Sequence, residues 1–134
     1  MIGHLKKIIF LFAIISVLFA CKKEDNSTPI AVNGNVVLNV HVVHHSWDIN
    51  NVKVYLKANT LVYPGPDSSL YDKYLTTDGY GKVSFTKLIP GNYYLYCSGF
   101  DSLFGANVIG YKQIYLTEEN LINNEMSVTL YVSE

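Results

Sequence analysis

From residue 36 onward the apolar residues of this chain recur at every second position, in short runs broken by glycine and proline. Val36, Leu38, Val40 and Val42 share one parity, as do Val52, Val54 and Leu56. Tyr93, Leu95 and Cys97 repeat the pattern, and Met126, Val128, Leu130 and Val132 close it. Side chains of extended backbone alternate between two faces, so period two marks a strand with one face inward. The stretches 70–76, 82–85 and 108–116 add weaker runs of the same kind, and helical periodicity is almost absent. The breaks are turn residues. Asp78-Gly79 with Gly81 reads as a tight hairpin, Pro90-Gly91 as a type II turn, and Pro64-Gly65-Pro66-Asp67 as a loop that cannot join a ladder. Thr117-Glu118-Glu119-Asn120 offers a cap and one helical turn. The pattern predicts an all-β fold, a seven-stranded antiparallel Greek-key sandwich in one domain over residues 35–134.

The first twenty residues read differently. Lys6 and Lys7 precede an apolar run from Ile8 to Ala20 that only Ser16 interrupts. A membrane-crossing helix needs about 20 residues. A basic start, a short apolar run and a small residue before a cut describe a cleaved signal peptide over residues 1–20. The alternative is a short anchor that stays on the chain. Leu18-Phe19-Ala20-Cys21 resembles the lipobox of bacterial lipoproteins. That resemblance implies cleavage before Cys21, a diacylglyceryl group on its thiol and acylation (palmitate or a similar chain) of the new amino terminus. One acyl chain anchors a protein only marginally, whereas two or three hold it stably. Residues 21–34 would then be the lipidated cysteine and a polar tether. Glu24 and Asp25 resemble the acidic signal that carries some lipoproteins to the cell surface, although plain solvation explains them too. The expected location is the outer membrane, on its periplasmic or outer face. With Cys21 lipidated, Cys97 has no partner, so a hydrophobic core must hold the domain.

The segment from Thr77 to Leu95 resembles the carboxypeptidase regulatory-like domains, which are transthyretin-like, seven-stranded sandwiches of immunoglobulin-like build. Thr77, Asp78, Gly81, Phe85, Leu88, Pro90, Gly91, Tyr93 and Leu95 match their pattern, and Val52 to Leu56 and Gly110-Tyr111 sit where flanking strands would. Cna-type adhesin repeats share the Leu-x-Pro-Gly-x-Tyr part. The resemblance implies an accessory or surface module that contacts a protein or glycan and catalyses nothing; the alternatives are a purely structural surface lipoprotein and, more weakly, a metal-dependent binder using His41, His44 and His45.

The residues themselves agree on chemistry. Net charge is −1 and all ten basic residues are lysine. A chain without arginine lacks the usual bidentate reader of phosphates and base edges, so no nucleic-acid partner is expected. No Gly-x-Ser-x-Gly or His-Glu-x-x-His is present, and no cofactor is expected. Cys97 has inward parity and reads as a small buried hydrophobe. His41, His44 and His45, with Asp48, are the weak metal candidates. On a strand, however, His41 and His44 point to opposite faces, and His41 and His45 lie about 13 Å apart. A polar strand end explains the same residues. Asp48, Asn50 and Asn51 could offer oxygens to calcium, or simply start turns. The tyrosines are more suggestive. Tyr94 and Tyr96 have outward parity, as do Tyr55 and Tyr131, and the 62–75 loop adds Tyr63, Tyr71 and Tyr74. Together they predict an aromatic contact surface, or else cross-strand tyrosine pairing on an exposed sheet face.

Overall fold

The computed structural model describes residues 34–134. The expected signal segment, Cys21 and the tether up to residue 33 lie outside the described residues. Among the described residues no helix is long and apolar enough to cross a membrane. In chain order the elements are β1 (Val36–His44), β2 (Trp47–Asp48), β3 (Lys53–Ala58), β4 (Lys73–Thr76), β5 (Lys82–Leu88), β6 (Gly91–Asp101), β7 (Ala106–Leu116) and β8 (Glu125–Tyr131). Single 3-10 turns at Ser68–Leu70 and Glu118–Asn120 are the only helical pieces described.

The strands form two sheets. In one, β1 is the hub and pairs with β2, β5 and β8, while the other runs β4-β3-β6-β7. Period-two residues from both meet in one core, where Leu38, Val42, Val54, Leu56, Phe85, Leu88, Leu95, Cys97, Val108 and Leu130 are completely or almost completely buried. Burying such side chains is what stabilises a domain without disulfides, at roughly 1.5–3 kcal/mol for each large one.

Three expectations about the fold need correction. The described residues hold eight strands, because the two-residue β2 folds back on β1 through His45 and Ser46. It is not wholly antiparallel, because β8 runs parallel to β1 from Val37↔Glu125 to Val43↔Tyr131. The reason lies in the crossing from β7. Residues 117–124 carry the chain to the other sheet and deliver it beside the start of β1, where the Val37 amide donates to the Asn124 carbonyl at 2.9 Å. Asn123 and Asn124 take positive φ there (53° and 64°), which asparagine tolerates better than most residues. Third, Pro90-Gly91 is not a type II turn. Gly91 has φ 158°, far from the roughly +80° of that turn's third residue, and already belongs to β6. The left-handed residue before β6 is Lys87, at φ 61°.

The segment that carried the resemblance has physical work to do. Buried Thr77 accepts from the Val52 amide and donates to the Ile49 carbonyl at 2.8 Å, stapling the β2–β3 connection. Asp78 Oδ1 accepts from the Tyr80 and Lys82 amides, closing the β4–β5 turn. Its four-residue close sets Gly81, not Gly79, at φ 69°.

Candidate functional site

The β4-β3-β6-β7 sheet carries a row of tyrosines straight across its outer face. Tyr74 stands opposite Tyr55, Tyr55 opposite Tyr96, and Tyr96 opposite Tyr111. Two further rings come from the 59–72 loop. Tyr71 lies 5.5 Å from Tyr55 and 5.6 Å from Tyr96, and Tyr63 lies within 5.9 Å of Tyr94, Tyr96 and Tyr111. Those centroid separations, with the rings mostly tilted, fall in the range where aromatic pairs attract.

The loop is held down at several points. The Tyr71 hydroxyl donates to the Gly65 carbonyl at 2.9 Å. The Asp72 carboxylate accepts from the Lys57 ammonium at 2.7 Å and from the Ala58 amide at 2.8 Å. The Gln113 side-chain amide of β7 donates to the Leu61 carbonyl at 2.6 Å. Fastened this way, the loop covers part of the sheet.

That covering corrects the expected surface. Parity placed Tyr55, Tyr94 and Tyr96 on the outer face, and they are there, yet the loop buries them (8%, 5% and 6% exposed) along with Tyr71. Tyr55, Tyr71 and Tyr96 form a small second core. Only Tyr63 and Tyr74 of the expected set stay open in this cluster. Tyr131 does not join them, because β8 belongs to the other sheet. Tyr111 was missed as a contact residue although it is 63% exposed. Its parity within 108–116 is outward, but only the β6–β7 register shows that it faces Tyr96. The open rim of the cluster is therefore Tyr63, Tyr74 and Tyr111, with the Lys53 ammonium 5.0 Å above the Tyr74 ring.

Burial, and then the proximity of neighbouring phenols, push the pKa of Tyr63, Tyr71 and Tyr94 above the ordinary 10.0. A group raised in the folded state adds stability that is whole below its unfolded pKa and is lost as pH rises through the folded value. The domain should therefore keep its denaturation midpoint up to about pH 10 and lose stability above it. Tyrosinate absorbance and urea titrations at stepped pH check this. A midpoint that stays level well above pH 10 would contradict the buried cluster.

The histidines separate into two places, so the weak metal set His41, His44, His45 and Asp48 is not one site. His41 pairs with Asp48 at 2.7 Å on the exposed side of β1. His44 is buried, and its Nδ1 meets Asp101 Oδ2 of β6 at 2.7 Å, a polar link between the two sheets. Asp101 Oδ1 accepts from the Leu103 amide at 2.8 Å and the Phe104 amide at 3.4 Å. Burial pushes the Asp101 carboxyl up, but His44 and these amides outweigh it and hold the pKa below the ordinary carboxylate value. Burial alone pushes the Cys97 thiol up to about 12, which leaves it unreactive.

No family model and no curated protein matches the chain. Among solved structures it is similar to the major pilin subunit of Bacillus cereus, with TM-score 0.50 at 11% identity over 74% of this chain. The D312A form of that subunit gives TM-score 0.51 at 10% identity over 75%. The chain spans 30% of the length of these pilin subunits. A Pseudomonas aeruginosa protein, provisionally described as carbohydrate binding, aligns with TM-score 0.48 at 19% identity, over 75% of this chain and 90% of that one. The pilin similarity concerns the fold, an all-β sandwich of two sheets.

Proposed function

We propose that this chain is a non-catalytic binding module of the cell envelope that contacts a glycan through Tyr63, Tyr74 and Tyr111. The observation that carries the proposal is the open tyrosine rim raised on four buried tyrosines. Rings already fixed by packing lose little rotamer freedom when a ligand arrives. Their faces suit the C–H side of a sugar ring, and their hydroxyls and the nearby Gln113 and Lys53 suit its hydroxyl groups. A protein partner would use the same apolar faces and is the other outcome of the test.

The non-catalytic reading belongs to the proposal and is supported by the burial of Cys97 and by the engagement of His41 with Asp48 and of His44 with Asp101. Membership among the carboxypeptidase regulatory-like, transthyretin-like sandwiches belongs to the same proposal, supported by the turn and staple roles of Thr77, Asp78 and Gly81. So does lipid anchoring at Cys21 to the outer membrane, supported by Leu18-Phe19-Ala20-Cys21.

The test is a glycan array with the full chain and a Tyr63→Ala/Tyr111→Ala double variant. Selective glycan binding by the wild type is expected, weakened at least about tenfold in the double variant, which melts somewhat earlier because Tyr63 packs on Tyr94 and Tyr96 but stays folded by circular dichroism. No glycan bound, or equal binding by both, would overturn the glycan reading. Binding of a protein in place of a glycan, lost in the same variant, would also overturn it while keeping the surface. For the anchor, Cys21→Ala should move the protein from the membrane fraction to the soluble fraction, and an unchanged distribution would refute lipidation.

A further inference from the structure

The far end of β1 places three ligand-type side chains together. His44 is its last residue, and His45 opens the two-residue turn into β2. After β8 the chain returns to the same end, where the Val132 amide donates to the Val43 carbonyl at 3.0 Å. That bond brings Glu134 alongside. One ring nitrogen from each histidine and one carboxylate oxygen of Glu134 all lie within 4.8 Å of one another, and His44, His45, Val132, Ser133 and Glu134 line an open cavity.

The two imidazoles are clamped. Their ring centroids are 4.2 Å apart, and Phe104 packs against both at 5.3 and 5.2 Å. Asp101 engages Nδ1 of His44, so Nε2 is the nitrogen left to coordinate. A carboxylate behind a ligating imidazole fixes its orientation and raises its basicity, and Asp101 is itself held by the Leu103 and Phe104 amides. The turn adds a further observation. His45 and Ser46 have φ 48° and 71°, positions that two-residue hairpins usually fill with asparagine and glycine. The left-handed conformation costs such residues about 1–2 kcal/mol each, yet here it sets His45 beside His44.

We propose that His44, His45 and Glu134 form a binding site for a divalent transition metal of the zinc class, with Asp101 as the positioning residue behind His44. Zinc takes nitrogen and oxygen ligands at about 2.0–2.2 Å in a tetrahedron, which sets them roughly 3.3–3.6 Å apart. His45 and Glu134 are exposed, so closing the site asks only for small side-chain movements. Three protein ligands leave the fourth position to water or to a donor from a partner. The site lies on a different part of the sandwich from the tyrosine rim and stands or falls without it.

The test uses the full chain with zinc followed by calorimetry and cobalt by its visible spectrum. One metal per chain is expected, with a tetrahedral cobalt spectrum. His45→Ala and Glu134→Ala, both at exposed positions, should each weaken zinc at least tenfold. His41→Ala should leave affinity unchanged, because His41 bonds Asp48 elsewhere. Absence of saturable uptake by the wild type would overturn the proposal. So would uptake that survives the His45→Ala/Glu134→Ala pair, or that disappears with His41→Ala.

Discussion

Asp101→Ala lowers the stability of the domain by about 3–5 kcal/mol in urea or guanidinium denaturation, the range for removing one member of a buried pair. His44 and Asp101 are 2% and 3% exposed. Truncating the carboxylate leaves the buried His44 Nδ1 without its partner, and it removes the acceptor for two amides of the β6–β7 turn. The pair also joins β1 of one sheet to β6 of the other, so its loss acts on how the layers meet. Asp48→Ala is the matched control. It removes a bond of equal length, 2.7 Å, between side chains that are 35% and 46% exposed. Solvent screening keeps such a pair at about 0–1 kcal/mol. Equal effects of the two substitutions would show that His44 and Asp101 are not buried as described.

Gly81→Ala destabilises by about 3 kcal/mol or more, and Gly79→Ala by no more than about 0.5 kcal/mol. Both glycines sit in the β4–β5 turn. Gly81 has φ 69°, and a Cβ there would stand 2.8 Å from the Val42 carbonyl oxygen and 3.0 Å from the Ile49 nitrogen. Those atoms belong to backbone that cannot swing aside, and the left-handed conformation adds about 1–2 kcal/mol. A Cβ on Gly79 would meet nothing within 4 Å. Melting temperatures of the two variants decide the matter. A Gly81→Ala protein as stable as wild type would mean that β1 and the β4–β5 turn do not approach each other this closely.

The sequence was most informative wherever a rule acts locally. Alternation placed the inward faces of β1, β3, β6 and β8 correctly, because parity is a property of one strand. It could not give the direction of β8, since a parallel and an antiparallel partner of β1 show the same alternation. The direction depends on where residues 117–124 cross, and on left-handed asparagines at 123 and 124. Parity likewise put Tyr55, Tyr94 and Tyr96 on the outer face without showing what lies above them. The covering loop is held by Asp72 and Gln113, whose partners only the folded chain supplies. Tyr131 had the right parity but the wrong sheet, and Tyr111 needed the β6–β7 register. At the histidines, spacing argued correctly that His41 and His44 diverge. The meeting of His44 with Asp101, 57 positions away, and with Glu134 has no signal along the chain.

The parallel run of β8 beside β1 gives the molecule two unlike poles. Both strands set out from the same pole, where residue 34 enters, and both finish at the other. At about 3.3 Å per residue the nine residues of β1 span roughly 30 Å. Whatever precedes β1 therefore meets the domain at its entry pole. His44, His45 and Glu134 gather at the opposite pole, a strand's length away.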